Sequence, residues 1–165
     1  MHAFPIRAFS IQAFSIQVVA PFRLIAALLM AGGLFGAPSS AAAQSVPNPY
    51  VQEVLVKSIL VTLSDAVAYD NFTVLQAKIS KPFREQFPPE KLRAVFKDLI
   101  DKRAVFDAIV ASPIMPDGEP KIDENGVLRL KGRFETTPKQ VKYQLGFIWE
   151  NNSVWKLSAV TIDIE

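Results

Sequence analysis

Acid–base chemistry in this chain has to come from carboxylates and phenols. Histidine occurs once in the 165 residues, at His2, and cysteine does not occur. A Ser-His-Asp or Cys-His nucleophile, a His or Cys zinc site and a Cys-ligated haem or iron–sulfur cluster each need one of those side chains, and residues 44–165 contain neither. What remains is Asp65 and Tyr69, four apart and therefore on one helical face, with Tyr50 and Tyr143 as further phenols and Asp107 later in the chain. A carboxylate in an apolar cavity has its pKa raised and can then shuttle protons on a small hydrophobic substrate. The competing expectation is a solvated Asp65 near a helix end, since Asp is mostly exposed.

A second constellation is aromatic. Tyr143, Phe147 and Trp149 share parity with Val141 and Leu145, so together they line a pocket for a small apolar ligand or serve as plain core. On a neighbouring strand Arg129, Lys131 and Arg133 form a cationic row, suited to an acidic partner or anionic lipid head groups, or simply to solvent. If that face pairs with a second copy in a homodimer, Glu135 and Glu150 are the acids available to meet it. Asp117, Glu119, Asp123 and Glu124 cluster in one loop without the EF-hand spacing, and Gly118, Gly126, Gly132 and Gly146 are too scattered for a phosphate loop. No metal, cofactor or nucleotide is expected from these residues.

The elements that must hold these groups follow from periodicity. Asn48-Pro49 is a helix start, with Asn as cap and Pro in the first turn. Val51, Val54, Leu55, Ile59, Leu63, Ala66 and Val67 then recur at helical spacing up to about Tyr69. Asp70-Asn71 breaks that helix; Phe72, Leu75 and Ile79 mark a short second one that Pro82 ends. Pro88-Pro89-Glu90 opens a third, carrying Leu92, Val95, Phe96, Leu99 and Ile100 and closing at Lys102-Arg103. Past Arg103 the period becomes two. Phe106 to Ala111 reads as a short strand, 112–126 as a long irregular loop, and Leu128–Glu135, Val141–Trp149 and Val154–Ile164 as an antiparallel meander. In the last strand Trp155 and Leu157 have one parity and Val160, Ile162 and Ile164 the other, which predicts a β-bulge near Ser158-Ala159. The fold class expected is α+β, three N-terminal helices packed on a curved, mainly antiparallel sheet, over residues 50–165.

Ahead of this domain, Arg23 precedes a 13-residue uncharged run, Leu24 to Gly36, followed by Ala37-Pro38-Ser39-Ser40-Ala41-Ala42-Ala43. That is the pattern of a signal peptide, residues 1–43, with 44–49 as a short linker. The run is shorter than the ~20 apolar residues that span a bilayer, so no membrane anchor is expected after cleavage, and the domain is expected to be exported, periplasmic or secreted. The tandem Ala8-Phe9-Ser10-Ile11-Gln12 and Ala13-Phe14-Ser15-Ile16-Gln17 is too short for a solenoid and reads as a duplication without structural meaning. Of 18 Lys and Arg, Arg7 and Arg23 lie in the leader, so the remainder balances the 16 Asp and Glu and gives no basis for nucleic-acid binding.

The order of one long and two shorter helices, a short strand and three long antiparallel strands resembles the nuclear transport factor 2-like superfamily, a cystatin-like α+β cone. Ala68-Tyr69-Asp70-Asn71-Phe72, Phe83-Arg84-Glu85-Gln86-Phe87 and Val154-Trp155-Lys156-Leu157 carry the likeness, which extends over about residues 50–164 and points to small exported members of unassigned activity. The resemblance implies a curved sheet wrapped round the first helix, a cone that often holds a small apolar ligand, and dimers formed through the sheet. Its proton-transfer members place an Asp, a Tyr or a His-Asp pair in the cone, and here the His is missing. A non-catalytic small-ligand-binding or protein-interaction module is therefore expected, the alternative being an isomerase or dehydratase-like enzyme built on Asp65, Tyr69 or Asp107.

Overall fold

The structure, a computed structural model, describes residues 9–11, 44–137, 139–151 and 153–165. Apart from 9–11, the expected signal peptide lies outside the described residues.

Helix α1 runs from Pro49 to Ala68. Asn48 caps it as anticipated, its Oδ1 accepting from the Val51 N–H at 3.0 Å. The helix turns Val56, Ile59, Leu60, Leu63, Ala66 and Val67 into the core and leaves Val54 exposed, so the buried face is rotated from the anticipated stripe. It stops where Asp70 takes positive φ, at 51°. Asn71 Oδ1 then accepts from Thr73 N–H, opening α2, Thr73–Lys78.

Here the expectation of three helices needs correction, because five are present among the described residues. Pro82 does not end a helix; it sits in the first turn of α3, Lys81–Gln86, where a missing N–H costs nothing. The anticipated third helix is split into α4, Pro89–Val95, and α5, Lys97–Asp101, at Phe96. Phe96 is buried and its ring stacks on Phe72 at 5.9 Å, so the break lies where the chain bends to deliver an aromatic ring to the core. A second correction concerns Phe106 to Ala111: residues Asp107–Val110 form a 3-10 helix, not a strand. Ile109 and Phe106 are buried while Asp107, Ala108 and Val110 are exposed, a three-residue repeat of burial that a strand does not give.

The sheet is antiparallel throughout, ordered β1-β6-β5-β4-β2, with β3 also paired to β4. Its strands are β1 Phe9–Ile11, β2 Met115–Pro116, β3 Lys121–Ile122, β4 Leu128–Phe134, β5 Val141–Glu150 and β6 Val154–Ile164. The long loop is thus less irregular than its prolines imply, since β2 and β3 both stitch onto β4. The first copy of the tandem repeat has a structural place as well, contrary to expectation: Phe9, Ser10 and Ile11 pair with Ile162, Thr161 and Val160. In β6 the register steps from Gly146↔Ala159 to Phe147↔Leu157, leaving Ser158 as the extra residue of the anticipated bulge. One core joins α1, the short helices and the inner sheet face, with Leu60, Phe83, Phe134, Leu145, Phe147 and Leu157 among its fully buried side chains.

Candidate functional site

The structure separates the residues that the sequence made candidates. Asp65 and Tyr69 lie on the solvent side of α1, Tyr69 at 79% exposure, and Tyr50 is exposed at the other end of the same helix. Asp107 is exposed at the start of the 3-10 helix, and its Oδ1 accepts a 2.5 Å hydrogen bond from the Ser64 hydroxyl. Ser64 Oγ in turn accepts from the buried Phe106 N–H at 3.0 Å. A serine on the buried face of α1 thereby pins the entry to the 3-10 helix.

The aromatic stripe divides although its members share one parity. Tyr143 and Phe147 are 3% and 1% exposed and belong to the core, whereas Trp149 is 37% exposed and meets Trp155 edge-on at 5.2 Å. The Tyr143 ring lies across Gly132, its cross-strand neighbour. Burial pushes its phenol up to about 12. It is therefore a neutral donor at physiological pH and no base.

The cationic row is balanced within the chain. Arg129 pairs with Asp123 at 2.9 Å, Lys131 with Asp117 at 2.6 Å, Arg133 with Glu135 at 2.7 Å, and neighbouring Lys142 with Glu165 at 2.6 Å. Hydrogen bonds from Lys131 and Arg133 hold the carboxyls of Asp117 and Glu135 below their ordinary values. At Asp123 burial acts upward, but the Val127 N–H and Arg129 outweigh it and the net direction is down. Glu150 is also engaged internally, accepting from the Lys81 N–H at 2.6 Å. Exposed pairs of this kind add little stability; their effect is to leave the outer sheet face nearly neutral.

A cleft that the sequence did not single out lies where α5, the 3-10 helix and the β4–β5 turn converge. It has a volume of about 360 Å³. Phe106, Val141 and Ile164 are its buried apolar lining residues, and Lys102, Arg103 and Lys139 rim it with Asp107. None of these three cations is in a side-chain ion pair among the described residues. The volume falls within the range of small-molecule sites, and an apolar floor under a cationic rim suits an anion with a hydrocarbon body. The sequence signal was present but ambiguous, since Lys102-Arg103 served equally well as the cationic close of a helix. Lys139 reaches the rim only through the β4–β5 turn. Among the described residues no group of acids is placed to hold a metal ion, and no helix is long and apolar enough to cross a membrane.

No protein-family model, curated protein or solved structure matches the chain.

Proposed function

We propose that residues 50–165 form a non-catalytic binding module of the nuclear transport factor 2-like cone type, exported by its leader, that takes a small amphipathic anion in the cleft of Phe106, Val141 and Ile164. The observation carrying this reading is the cleft's composition: a buried apolar floor beside three cations that have no acidic partner of their own among the described residues. The row of Arg129, Lys131, Arg133 and Lys142 is neutralised within the chain; here the cations are left for something else to neutralise. The filled interior around Tyr143 and Phe147 supports a rim site over a ligand buried among the aromatic stripe. An Asp/Tyr acid–base enzyme has less support. Asp65 and Tyr69 face solvent, and Asp107, the acid nearest the cleft floor, shares its carboxylate with Ser64. The cone and the export rest on the helix-then-meander order, the Ser158 bulge and the Leu24–Gly36 run.

The test is calorimetric titration of the protein with octanoate, octanol and octyltrimethylammonium. Octanoate is expected to bind saturably and the cation not to bind. The K102E/R103E double variant should weaken octanoate about tenfold or more, which corresponds to about 1.4 kcal/mol. Ala108→Trp, a substitution at an exposed position lining the cleft, should abolish binding. Equal binding of anion and cation, or indifference to both variants, refutes the proposal.

A further inference from the structure

Positive φ is uncommon for residues with a β-carbon, and among the described residues three besides glycine adopt it: Asp70 at 51°, Arg103 at 47° and Asn151 at 53°. Asp and Asn are the side chains that tolerate the left-handed region best, and both have a local reason to be there. Asn151 lies in the β5–β6 turn. Asp70 ends α1 with both carboxylate oxygens held by Arg93, Nε to Oδ1 at 2.8 Å and Nη2 to Oδ2 at 2.7 Å. Arg103 has neither advantage. Its guanidinium makes no hydrogen bond or ion pair among the described residues, and it lines the cleft.

The backbone around Arg103 shows what the position asks for. The Ala104 N–H donates to the Leu99 carbonyl and the Arg103 N–H to the Ile100 carbonyl, both at 2.9 Å, which is a Schellman close of α5 with Arg103 at its left-handed residue. Glycine takes that position without a steric penalty, so an arginine there is kept against the local preference. The segment is also fixed along its length. Every backbone N–H from Lys102 to Phe106 is bonded, four of them to the carbonyls of Asp98, Ile100, Leu99 and Arg103 and the last to the Ser64 hydroxyl. A strained residue on a rigid support at the rim of a cleft points to its side chain, rather than its backbone, as the reason it is there.

Granted the anion-binding cleft, on which this rests, we propose that Arg103 reads the ligand's head group and that the head is a carboxylate. A guanidinium meets a carboxylate through two parallel N–H bonds, which a lysine ammonium does not reproduce. Arg93 and Asp70 form that pairing at an exposed position of this same chain. Lys102 and Lys139 add charge without that geometry. Asp107 on the same rim disfavours a second negative charge on the head, so a monoanionic carboxylate fits better than a phosphate dianion. The hydrocarbon body then lies on Phe106, Val141 and Ile164.

The test pairs calorimetric titration of the full chain with octanoate and octyl phosphate against urea unfolding of each variant. Arg103→Lys keeps the charge and should weaken octanoate about fivefold or more, the loss expected when one of two charge-assisted hydrogen bonds goes. Adding Lys102→Arg to R103K returns a guanidinium one residue away and should not recover the affinity. Arg103→Gly should weaken octanoate about tenfold or more and yet raise the urea midpoint, because it relieves the left-handed β-carbon. Loss of binding together with a gain in stability is the signature of a residue kept for its ligand, and an arginine with only a structural role would not give it.

R103K binding octanoate as the parent does, or K102R/R103K recovering the parent affinity, overturns the proposal by showing that charge alone is read. An R103G midpoint at or below that of the parent overturns the strain on which Arg103 was singled out. Tighter binding of octyl phosphate than of octanoate to the parent overturns the carboxylate head. In each of these cases the parent still binds an anion and the cleft reading stands, whereas a parent that binds neither anion refutes that reading and the role of Arg103 with it.

Discussion

Gly132→Ala probes whether Tyr143 is a packed wall or a pocket lining. A Cβ built at Gly132 meets the Met115 carbonyl oxygen at 2.6 Å, the Tyr143 hydroxyl at 2.6 Å and the Tyr143 Cζ at 3.0 Å. Ordinary carbon contacts begin near 3.4 Å, so two neighbours must retreat by most of an ångström. One of them is backbone: Met115 and Pro116 are the whole of β2 and pair with Arg133 and Gly132. Overpacking of this kind costs about 1–3 kcal/mol. The substitution also removes unfolded-state freedom, which returns roughly 0.4–1 kcal/mol.

The net expectation is a destabilisation of about 1–2 kcal/mol, read as a lower urea midpoint at unchanged slope. Hydrogen exchange supplies a local signature, since the Asp117 N–H donates to the Lys131 carbonyl just beyond β2 and should lose protection first. In the G132A/Y143F background one of the two closest contacts disappears and the other stays. About half the loss should then return. A Gly132→Ala variant within about 0.5 kcal/mol of the parent, below the overpacking range, would refute the close packing of Tyr143 on Gly132 and reopen the aromatic stripe as a ligand wall.

Two further outcomes test the site and the sheet. Ser64→Ala strands the buried Phe106 N–H and should cost about 1–3 kcal/mol in urea unfolding, whereas Asp107→Ala, at an exposed residue, should cost under about 1 kcal/mol; equal losses would contradict the anchoring role given to Ser64. Asp163 is raised above its ordinary value by burial and then by Glu165, and its buried Oδ1 has no hydrogen-bond partner among the described residues. A raised folded-state pKa means stability that is present below the unfolded-state value and lost as pH rises through the folded-state value, despite the nearby Lys142. Asp163→Asn should therefore raise the urea midpoint at neutral pH and leave it unchanged at the acidic end, and the reverse order would refute the assignment.

Parts of this protein are legible residue by residue because their causes are local. Asn48 followed by Pro49 starts a helix wherever it docks, since cap and proline act on the first turn alone. The alternation in β4 and β5 and the parity switch at Ser158 record which face of each strand is dry, and that record survives into the structure. Helix breaks are less legible: Pro82 ends one helix or begins the next according to where its neighbours find partners.

Burial along a single stripe was beyond the sequence altogether. Tyr143, Phe147 and Trp149 have the same parity, yet the first two are dry and the third is not, because the core that covers the sheet's inner face does not enclose Trp149. The cationic row looks like a surface awaiting partners until folding brings Asp117, Asp123, Glu135 and Glu165 beside it or its neighbour Lys142. Ser64 and Asp107 meet across 43 residues of chain, and Lys139 joins Lys102 and Arg103 only when the β4–β5 turn folds back over the 3-10 helix. Those pairings have no periodic signature, since they depend on loop closure between distant segments, and only the tertiary structure decides them.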